Sequence, residues 1–206
     1  WAANLSFALN YYIGGFDSMR GWHIVNIAIH LLTGWLVYAL GVLTFRRLDH
    51  NEDAADRRLG QKSIHWAALA AAVLWVLHPV QIQAVTYLVQ RMTSMATLFY
   101  LAALCLYIVG RQASSRRCRG ICFTLVPLAW LLALGSKEIA ITLPVVIIIY
   151  EWFFFQKLSR DWIARGLKFC IVPFALMIVI GIIFLPDEPL QTLVKGYESR
   201  DFNMAQ

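Results

Sequence analysis

The sequence predicts an all-α membrane protein with about six transmembrane helices, and three observations support this prediction. Hydrophobic residues make up 60% of the chain and charged residues only 15%, which is too little charge for the surface of an ordinary soluble domain. Six apolar stretches each come near the length that a bilayer-spanning helix requires. The loops between them alternate between many and few Lys and Arg residues, as loops on the two sides of a membrane do. The six stretches are residues 22–45, 64–80, 92–110, 120–135, 139–156 and 169–186.

The distribution of Lys and Arg also predicts how these helices are oriented. Of the 18 Lys and Arg residues, five lie in 46–62, four in 111–119 and four in 157–168. Because loops rich in Lys and Arg stay on the cytoplasmic side, these three connections are expected to face the cytoplasm. Both ends of the chain then lie on the extracytoplasmic side. The net charge of +6 follows this topology, so it does not indicate a nucleic-acid partner.

The chain is expected to contain three segments and to be a piece of a longer protein. Residues 1–12 place apolar and aromatic side chains at helical spacing, and Gly14 and Gly15 then interrupt them, which is typical of a short interfacial helix. The chain begins at Trp1 with neither a methionine nor the pattern of a signal peptide. The predicted segments are 1–21, an outer-face interfacial segment, 22–186, the transmembrane domain, and 187–206, a non-cytoplasmic loop that leads to a further span.

Two of the long apolar regions are expected to be interrupted. Residues 64–90 contain no charged side chain and are too long for one untilted span, so Pro79 should start a second helical segment. Residues 120–155 would form a single helix of about 54 Å, far longer than a hydrocarbon core, so a hairpin turn is predicted at 135–138. The segment after Pro79 is expected to carry polar side chains along one helical face. These are Gln83, Thr86, Tyr87, Gln90 and Ser94.

Ionisable residues on the outer side of the membrane are the first candidates for function, because such groups are costly at membrane depth. Arg91 and Lys137 are candidate ligands of a phosphate or diphosphate, Arg through its planar fork of donors and Lys as a point charge. A structural interpretation stands beside this one: Arg91 reaches the interface along its aliphatic stem and Lys137 pairs with Glu138. The residues expected to line a cavity with them are His78, Gln83, Gln90 and Glu138.

Three further polar residues, His23, Asn26 and His30, share one face of the first predicted span near its outer end. They are candidates for lining the same cavity, and hydrogen bonding between helices is the alternative. As a metal site they are poor, because the two imidazoles lie about 10 Å apart along the helix axis, too far for one zinc ion. Asp17 is the only carboxylate on the outer side before Glu138, and a loop acid of this kind is usually solvated.

Two segments of the chain resemble a known family. They read HPVQIQAVTYLVQRMTSMATLFYLAALCLY and LLALGSKEIAITLPVVIIIYEW, and they are similar to the membrane portion of bacterial tetratricopeptide-repeat proteins related to the transmembrane and tetratricopeptide-repeat O-mannosyltransferases. LSFALNYYIGGFDSMRGWHIVNIAIHLL and SRDFNMAQ extend the resemblance over most of the chain. His78, Pro79, Arg91, Ser136, Lys137 and Glu138 agree with the family pattern. Gln83 stands where many relatives carry Glu.

The resemblance implies a GT-C type glycosyltransferase of the bacterial inner membrane. Such an enzyme transfers a sugar from a polyprenyl-phosphate-linked donor to a protein acceptor on the extracytoplasmic face. Its catalytic carboxylate is expected in the first outer loop, upstream of Trp1, which leaves Asp17 as the remaining candidate within this chain. Apart from the lipid-linked sugar the resemblance fixes no cofactor, and a divalent metal ion is left open. The repeat array of the family lies C-terminal and outside the cytoplasm.

A different class of function is also compatible with the sequence. The chain would then be a non-catalytic membrane scaffold or an accessory subunit of a larger complex, and Arg91 and Lys137 would contact their neighbours without forming a pocket. A transporter is less favoured, because the sequence shows neither an inverted repeat nor a matching pair of broken helices.

Overall fold

The computed structural model describes residues 1–15, 19–51 and 60–162. Within these ranges the chain is helical and contains no β-strand, so the predicted all-α fold class is confirmed. Trp1–Lys157 forms one compact unit, and Leu158–Gln206 forms a second unit that is described only as far as 162. The α-helices are α1 (Ala2–Gly14), α2 (Met19–Asn51), α3 (Gln61–Leu77), α4 (Ile82–Thr86), α5 (Arg91–Gln112), α6 (Arg116–Leu134) and α7 (Leu143–Tyr150).

Short helical turns of other kinds join these helices. Glu151–Phe155 forms a π-helical turn that continues α7. Three turns are 3₁₀-helical: Pro79–Gln81, Leu88–Gln90 and Glu138–Thr142. Since α6 ends at Leu134 and the chain re-enters a helix only at Glu138, the predicted hairpin turn at 135–138 is confirmed.

Within the described residues, four helical segments are long and apolar enough to cross a membrane, and the pair Gln61–Leu77 and Pro79–Thr86, bent by 54°, is the candidate for a fifth. These segments correspond to the first five predicted stretches. Between 17% and 28% of the residues in the four spans are buried inside the protein, so most of their apolar surface faces outward, as lipid-exposed helices require. The sixth stretch, 169–186, lies outside the described residues, as do Asp17 and the loop 187–206.

Helix α2 is longer than the sequence predicts. Its 33 residues reach Asn51, whereas the predicted span ends at residue 45. Arg46 and Arg47 therefore lie inside the helix. The charge pattern marks where a span leaves the membrane, but Arg and Leu are good helix formers, so the helix continues beyond that point.

The segment after α3 is more broken than the expected single helix. Pro79 lacks an N–H and restricts the residue before it, and His78 is accordingly extended, with φ −63° and ψ 130°. A second extended residue, Tyr87, separates α4 from the next turn. The continuous polar face predicted from Gln83 to Ser94 is therefore not formed.

Small residues allow the helices to pack closely, as is common in membrane bundles. A Cβ added at Gly34 of α2 would lie 2.4 Å from Val76 Cγ2 of α3, and one added at Gly110 of α5 would lie 2.9 Å from Cys122 Cβ of α6. The main core cluster joins α5, α6 and α7. Its buried members are Ala103, Leu104, Ile108, Ala129, Leu143 and Tyr150.

The bundle has two distinct ends, which we name after one residue at each. The Lys137 end contains the starts of α2 and α5, the ends of α3 and α6, and α1, whose Ala2 N–H donates to the Gly135 carbonyl. The Glu151 end contains the other helix termini. Arg47 of α2 also lies at this end, where its Nε donates to the Phe154 carbonyl over 3.1 Å. The basic connections after α2 and α5 start at this second end, so the alternation of Lys and Arg corresponds to the two ends of the bundle.

Candidate functional site

Arg91 is the largest fully buried side chain of the described residues. It begins α5, and its guanidinium contacts the start of α2. Nε donates to Asn26 Oδ1 over 2.7 Å, and Nη2 donates to the Trp22 carbonyl over 2.9 Å. The Phe7 ring of α1 lies 4.8 Å from the guanidinium carbon, and the Trp22 ring lies 5.3 Å from it. Arg91 thereby connects α1, α2 and α5.

The charge of Arg91 is solvated by neutral groups. Its partners are an amide, a carbonyl and two aromatic faces, which attract cations through their ring quadrupoles. Among the described residues it forms no ion pair, and its Nη1 is buried without a hydrogen-bond partner. A guanidinium held in this way positions the helices, with its Nε and Nη2 donating inside the protein.

Lys137 lies on the hairpin between α6 and α7, and its backbone is extended, with φ −158°. This conformation directs its side chain across to α5, where Nζ donates to Thr93 Oγ1 over 2.9 Å. The side chain is half-buried, and within the described part of the chain Lys137 has no carboxylate partner. One hydroxyl does not neutralise an ammonium group, so Lys137 offers an uncompensated positive charge at this end of the bundle.

A small polar cavity of about 70 Å³ adjoins Lys137, since Thr93 lines it. Cavities that hold whole small molecules measure about 300–1,000 Å³. This one has room for a few water molecules, or for one polar group of a ligand that lies mainly outside it. Its lining comes from α2, α3, the broken segment and α5. The residues are His30, Thr33, Trp75, Gln81, Ala84, Gln90, Thr93, Ser94 and Thr97.

The polar residues His23, Asn26 and His30, which form a stripe along α2, make hydrogen bonds to the backbone of neighbouring segments. His23 Nδ1 and Asn26 Nδ2 lie 3.4 Å and 3.3 Å from the Val85 carbonyl oxygen, and His30 Nε2 lies 3.1 Å from that of Val76. These contacts are the interhelical hydrogen bonds that the sequence allowed as the alternative to a ligand-facing stripe. They satisfy carbonyls in a region where the α-helical pattern is interrupted. His30 alone of the three also lines the cavity.

Other predicted site residues are spread over this end of the bundle. His78 is exposed, and its Nδ1 accepts the Val80 N–H over 3.2 Å. Gln83 and Glu138 are exposed as well. Arg91 faces α1 and α2, whereas Thr93, the partner of Lys137, lies about 200° further around α5. The phosphate-binding roles of Arg91 and Lys137 stay predictions, and the structure places the two cations on different sides of one helix.

Sequence reasoning missed a polar network at the opposite end. Glu151 is buried and accepts hydrogen bonds from Tyr107 at 2.8 Å, from Arg111 Nε at 3.1 Å and Nη2 at 2.6 Å, and from Gln156 at 2.8 Å. Glu151 is thereby bound inside the protein, although it lies at the end of a span. The alternation of the loops already placed Arg111 and Glu151 at the same end, which was the available signal.

The described residues offer no donor set for a metal ion. They contain no group of three or more His, Cys, Asp or Glu side chains placed to share one. The divalent ion that the resemblance left open is therefore not assigned to any of these residues.

Comparison with known proteins supports the resemblance. A protein O-mannosyl-transferase of Caenorhabditis elegans is 27% identical over 197 residues, which cover 96% of this chain and 23% of that protein. The protein O-mannosyl-transferase Tmtc1 of Drosophila melanogaster is 36% identical over 138 residues, 67% of this chain and 14% of that protein. This chain is a relative of the Tmtc protein O-mannosyl-transferases. Tmtc3 of Drosophila melanogaster is 29% identical over 163 residues, 75% of this chain and 17% of its own length.

The relationship covers a limited part of each relative. The chain spans about a quarter or less of the length of these three proteins. No family model matches the chain, and no solved structure matches it. The three relatives come from animals, so the expected bacterial inner membrane stays a prediction.

Proposed function

We propose that this chain is part of a membrane glycosyltransferase that transfers a sugar from a polyprenyl-phosphate-linked donor to a protein acceptor on the extracytoplasmic face. The relatives are named protein O-mannosyl-transferases, and these names supply the reaction class. The observation that carries the proposal is Lys137, an ammonium group with only a hydroxyl partner, beside a polar cavity and at the end of a membrane bundle. A lipid-linked phosphate has its charge at such a depth.

The chemistry follows from where charge develops in the reaction. The acceptor hydroxyl attacks the anomeric carbon of the sugar, the bond from that carbon to the phosphate oxygen breaks, and the phosphate leaves with the additional negative charge. A fixed cation stabilises this charge more in the transition state than in the ground state. We assign this role to Lys137 and a positioning role to Arg91, whose guanidinium holds α1 and α2 against α5. The hydroxyl proton goes to a carboxylate, which we expect outside the described residues.

Substitution of Lys137 in the full-length protein tests the assignment. Lys137→Ala should lower mannose transfer from polyprenyl-phosphate mannose to an acceptor protein by about 10²-fold or more, the usual cost of one electrostatic stabiliser. Lys137→Arg should restore part of the activity, because it restores the charge. Arg117→Ala, which removes an exposed basic residue at the other end of the bundle, is the control and should leave transfer unchanged. Full transfer by a well-inserted Lys137→Ala protein contradicts the proposal.

Sidedness can be tested separately with cysteine labelling. Cys118 is free and exposed near the start of α6, at the Glu151 end. A membrane-impermeant maleimide should label Cys118 only after the membrane is permeabilised. In a variant without the native cysteines, Glu138→Cys should be labelled in intact cells or vesicles of native orientation. The reverse pattern would place Lys137 on the cytoplasmic side and remove the extracytoplasmic reaction from the proposal.

A non-catalytic scaffold is the second candidate, and Arg91 is the observation that favours it. Two of its nitrogens donate inside the protein, to Asn26 and Trp22, as expected for a cation that holds helices together. The scaffold predicts that Lys137→Ala and Arg117→Ala proteins are equally able to support glycosylation.

A further inference from the structure

An open apolar groove of about 730 Å³ runs between α2 and α3 on the outside of the bundle. Small residues form its floor: Gly34 is close to Val76 of α3, and Ala72 is buried. Two large aromatic side chains form its walls, Trp35, which is 64% exposed, and Trp66, which is 70% exposed. A groove with a small-residue floor and aromatic walls is shaped for a narrow apolar chain.

The length of the groove corresponds to one leaflet of a bilayer. Its lining on α3 extends from His65 to Leu77, which is about 18 Å at the rise of an α-helix. A hydrocarbon core of about 30 Å gives each leaflet about 15 Å. One lipid chain that enters from the Glu151 end therefore fills the groove.

A positively charged group stands at that end of the groove. His65 Nδ1 lies 2.7 Å from the Tyr38 hydroxyl, and His65 Nε2 lies 3.0 Å from Arg46 Nη2. Since Arg has donors only, Nε2 must accept, and the neutral ring then carries its proton on Nδ1 and donates it to Tyr38. Arg46 is thus positioned by a neutral acceptor and keeps its charge.

The charge of Arg46 is not neutralised within the described part of the chain, where it forms no ion pair. Its Nη2 is held by His65, and this leaves Nε and Nη1 for an anion. Lys62 lies one turn before His65 on α3 and is exposed. Basic groups between membrane helices on the side of the basic loops are typical sites for anionic lipid headgroups.

We propose that this groove binds one anionic phospholipid, whose acyl chain lies between Trp35 and Trp66 and whose phosphate contacts Arg46. The site differs from the proposed donor site, because Arg46 and Lys137 lie at opposite ends of the bundle. The lipid stabilises the contact between α2 and α3, and it takes no part in sugar transfer.

Quantification of co-purified lipid tests the headgroup contact. The full-length protein is purified from vesicles of equal parts phosphatidylserine and phosphatidylcholine, and the bound lipids are measured by mass spectrometry. Arg46→Ala should lower the bound ratio of phosphatidylserine to phosphatidylcholine by about fivefold, the effect of one basic residue near the membrane surface. Arg116→Ala removes an exposed Arg at the same end but outside the groove, and it should leave the ratio unchanged.

The acyl-chain contact has its own pair of variants. Val73→Trp places bulk in the groove and should reduce the total lipid retained, whereas Val145→Trp on α7, at a residue of similar exposure, should not. Equal lipid ratios in the wild type and Arg46→Ala overturn the proposal. Retention of polyprenyl phosphate in place of phospholipid, independent of Arg46, also overturns it. Because mannose transfer is measured separately with Lys137→Ala, failure here is distinguishable from failure of the proposed function.

Discussion

The two ends of the bundle each contain a partly or fully buried Arg, but they solvate its charge in different ways. Arg111 is paired with the carboxylate of Glu151, which also accepts from Tyr107 and Gln156. Arg91 is held by the Asn26 amide, a backbone carbonyl and two aromatic rings. The Glu151 end has a positive charge and its counter-charge inside one network. The Lys137 end has the positive charges of Arg20, Arg91 and Lys137 and, among the described residues, no carboxylate paired with any of them.

This difference indicates which end leaves a cation inside the bundle without a counter-charge; the anionic lipid proposed at Arg46 binds on the outside of the bundle. Removal of a charge from water is costly unless a partner compensates it. At the Glu151 end the compensation is internal, so the network serves to lock α5 to the turn after α7. At the Lys137 end hydrogen bonds and aromatic faces compensate Arg91 only in part, and Lys137 even less. In the function that we propose, the donor phosphate supplies the missing negative charge there.

Replacement of Arg91 should have the largest effect on stability. Arg91→Met keeps an apolar stem but removes the hydrogen bonds that the guanidinium donates to the Asn26 amide oxygen and to the Trp22 carbonyl. Two buried hydrogen bonds from a charged group contribute about 3 kcal/mol or more, so the detergent-solubilised protein should unfold at a clearly lower temperature. Arg20→Met, at an exposed residue of the same end, should behave like the wild type. An unchanged unfolding midpoint for Arg91→Met would show that the buried contacts do not stabilise the fold.

A double-mutant cycle at the Glu151 end measures how strongly its charges are coupled. Glu151→Gln leaves Arg111 without a counter-charge, and Arg111→Met leaves a buried carboxylate. The double variant should lose less unfolding free energy than the two single variants lose together, with a coupling energy of about 1–3 kcal/mol. Additive costs would mean that the 2.6 Å ion pair contributes nothing as a pair.

Asn26→Asp makes the Lys137 end resemble the other end. The new carboxylate pairs with Arg91, but the substitution also removes the Nδ2 group that donates to the Val85 carbonyl. These effects oppose one another, so the net change in unfolding free energy should stay within about 1 kcal/mol. The comparison fails if Asn26→Asp destabilises the protein as much as Arg91→Met does.

Thr93→Val should have the smallest effect on stability and a measurable one on donor binding. It removes the one hydroxyl that orients Lys137, a partly exposed hydrogen bond that contributes about 0.5–1 kcal/mol. If Lys137 binds the donor phosphate, the KM for polyprenyl-phosphate mannose should rise severalfold while the unfolding temperature changes little. Thr86→Val alters an exposed Thr that bonds only to its own helix, and it serves as the control. Equal KM values in Thr93→Val and Thr86→Val would show that Lys137 does not bind the donor phosphate.

Helix type, the first five apolar spans and the grouping of the basic loops at one end of the bundle could be predicted from the sequence, whereas the sixth span lies outside the described residues. These features depend on local quantities, namely the length of apolar runs, the spacing of polar residues and the density of Lys and Arg in loops. Pro79 and the charges of Lys137 and Glu138 predicted where the helices are interrupted, because these too are local features of the sequence. The extension of α2 beyond Arg46 was missed, because a membrane boundary and a helix end produce different signals.

Only the tertiary structure decided what the individual charges contact. Arg91 and Lys137 have similar positions in the sequence pattern, yet one is sealed by Phe7 and Trp22 and the other lies on Thr93 beside a cavity. The pairing of Glu151 with Arg111 joins residues 40 positions apart. Such contacts depend on how the helices are rotated against one another, and that rotation follows from the close approaches at residues such as Gly34 and Gly110. The sequence determines which charges exist at each end, and the packing determines whether they find a partner inside the protein.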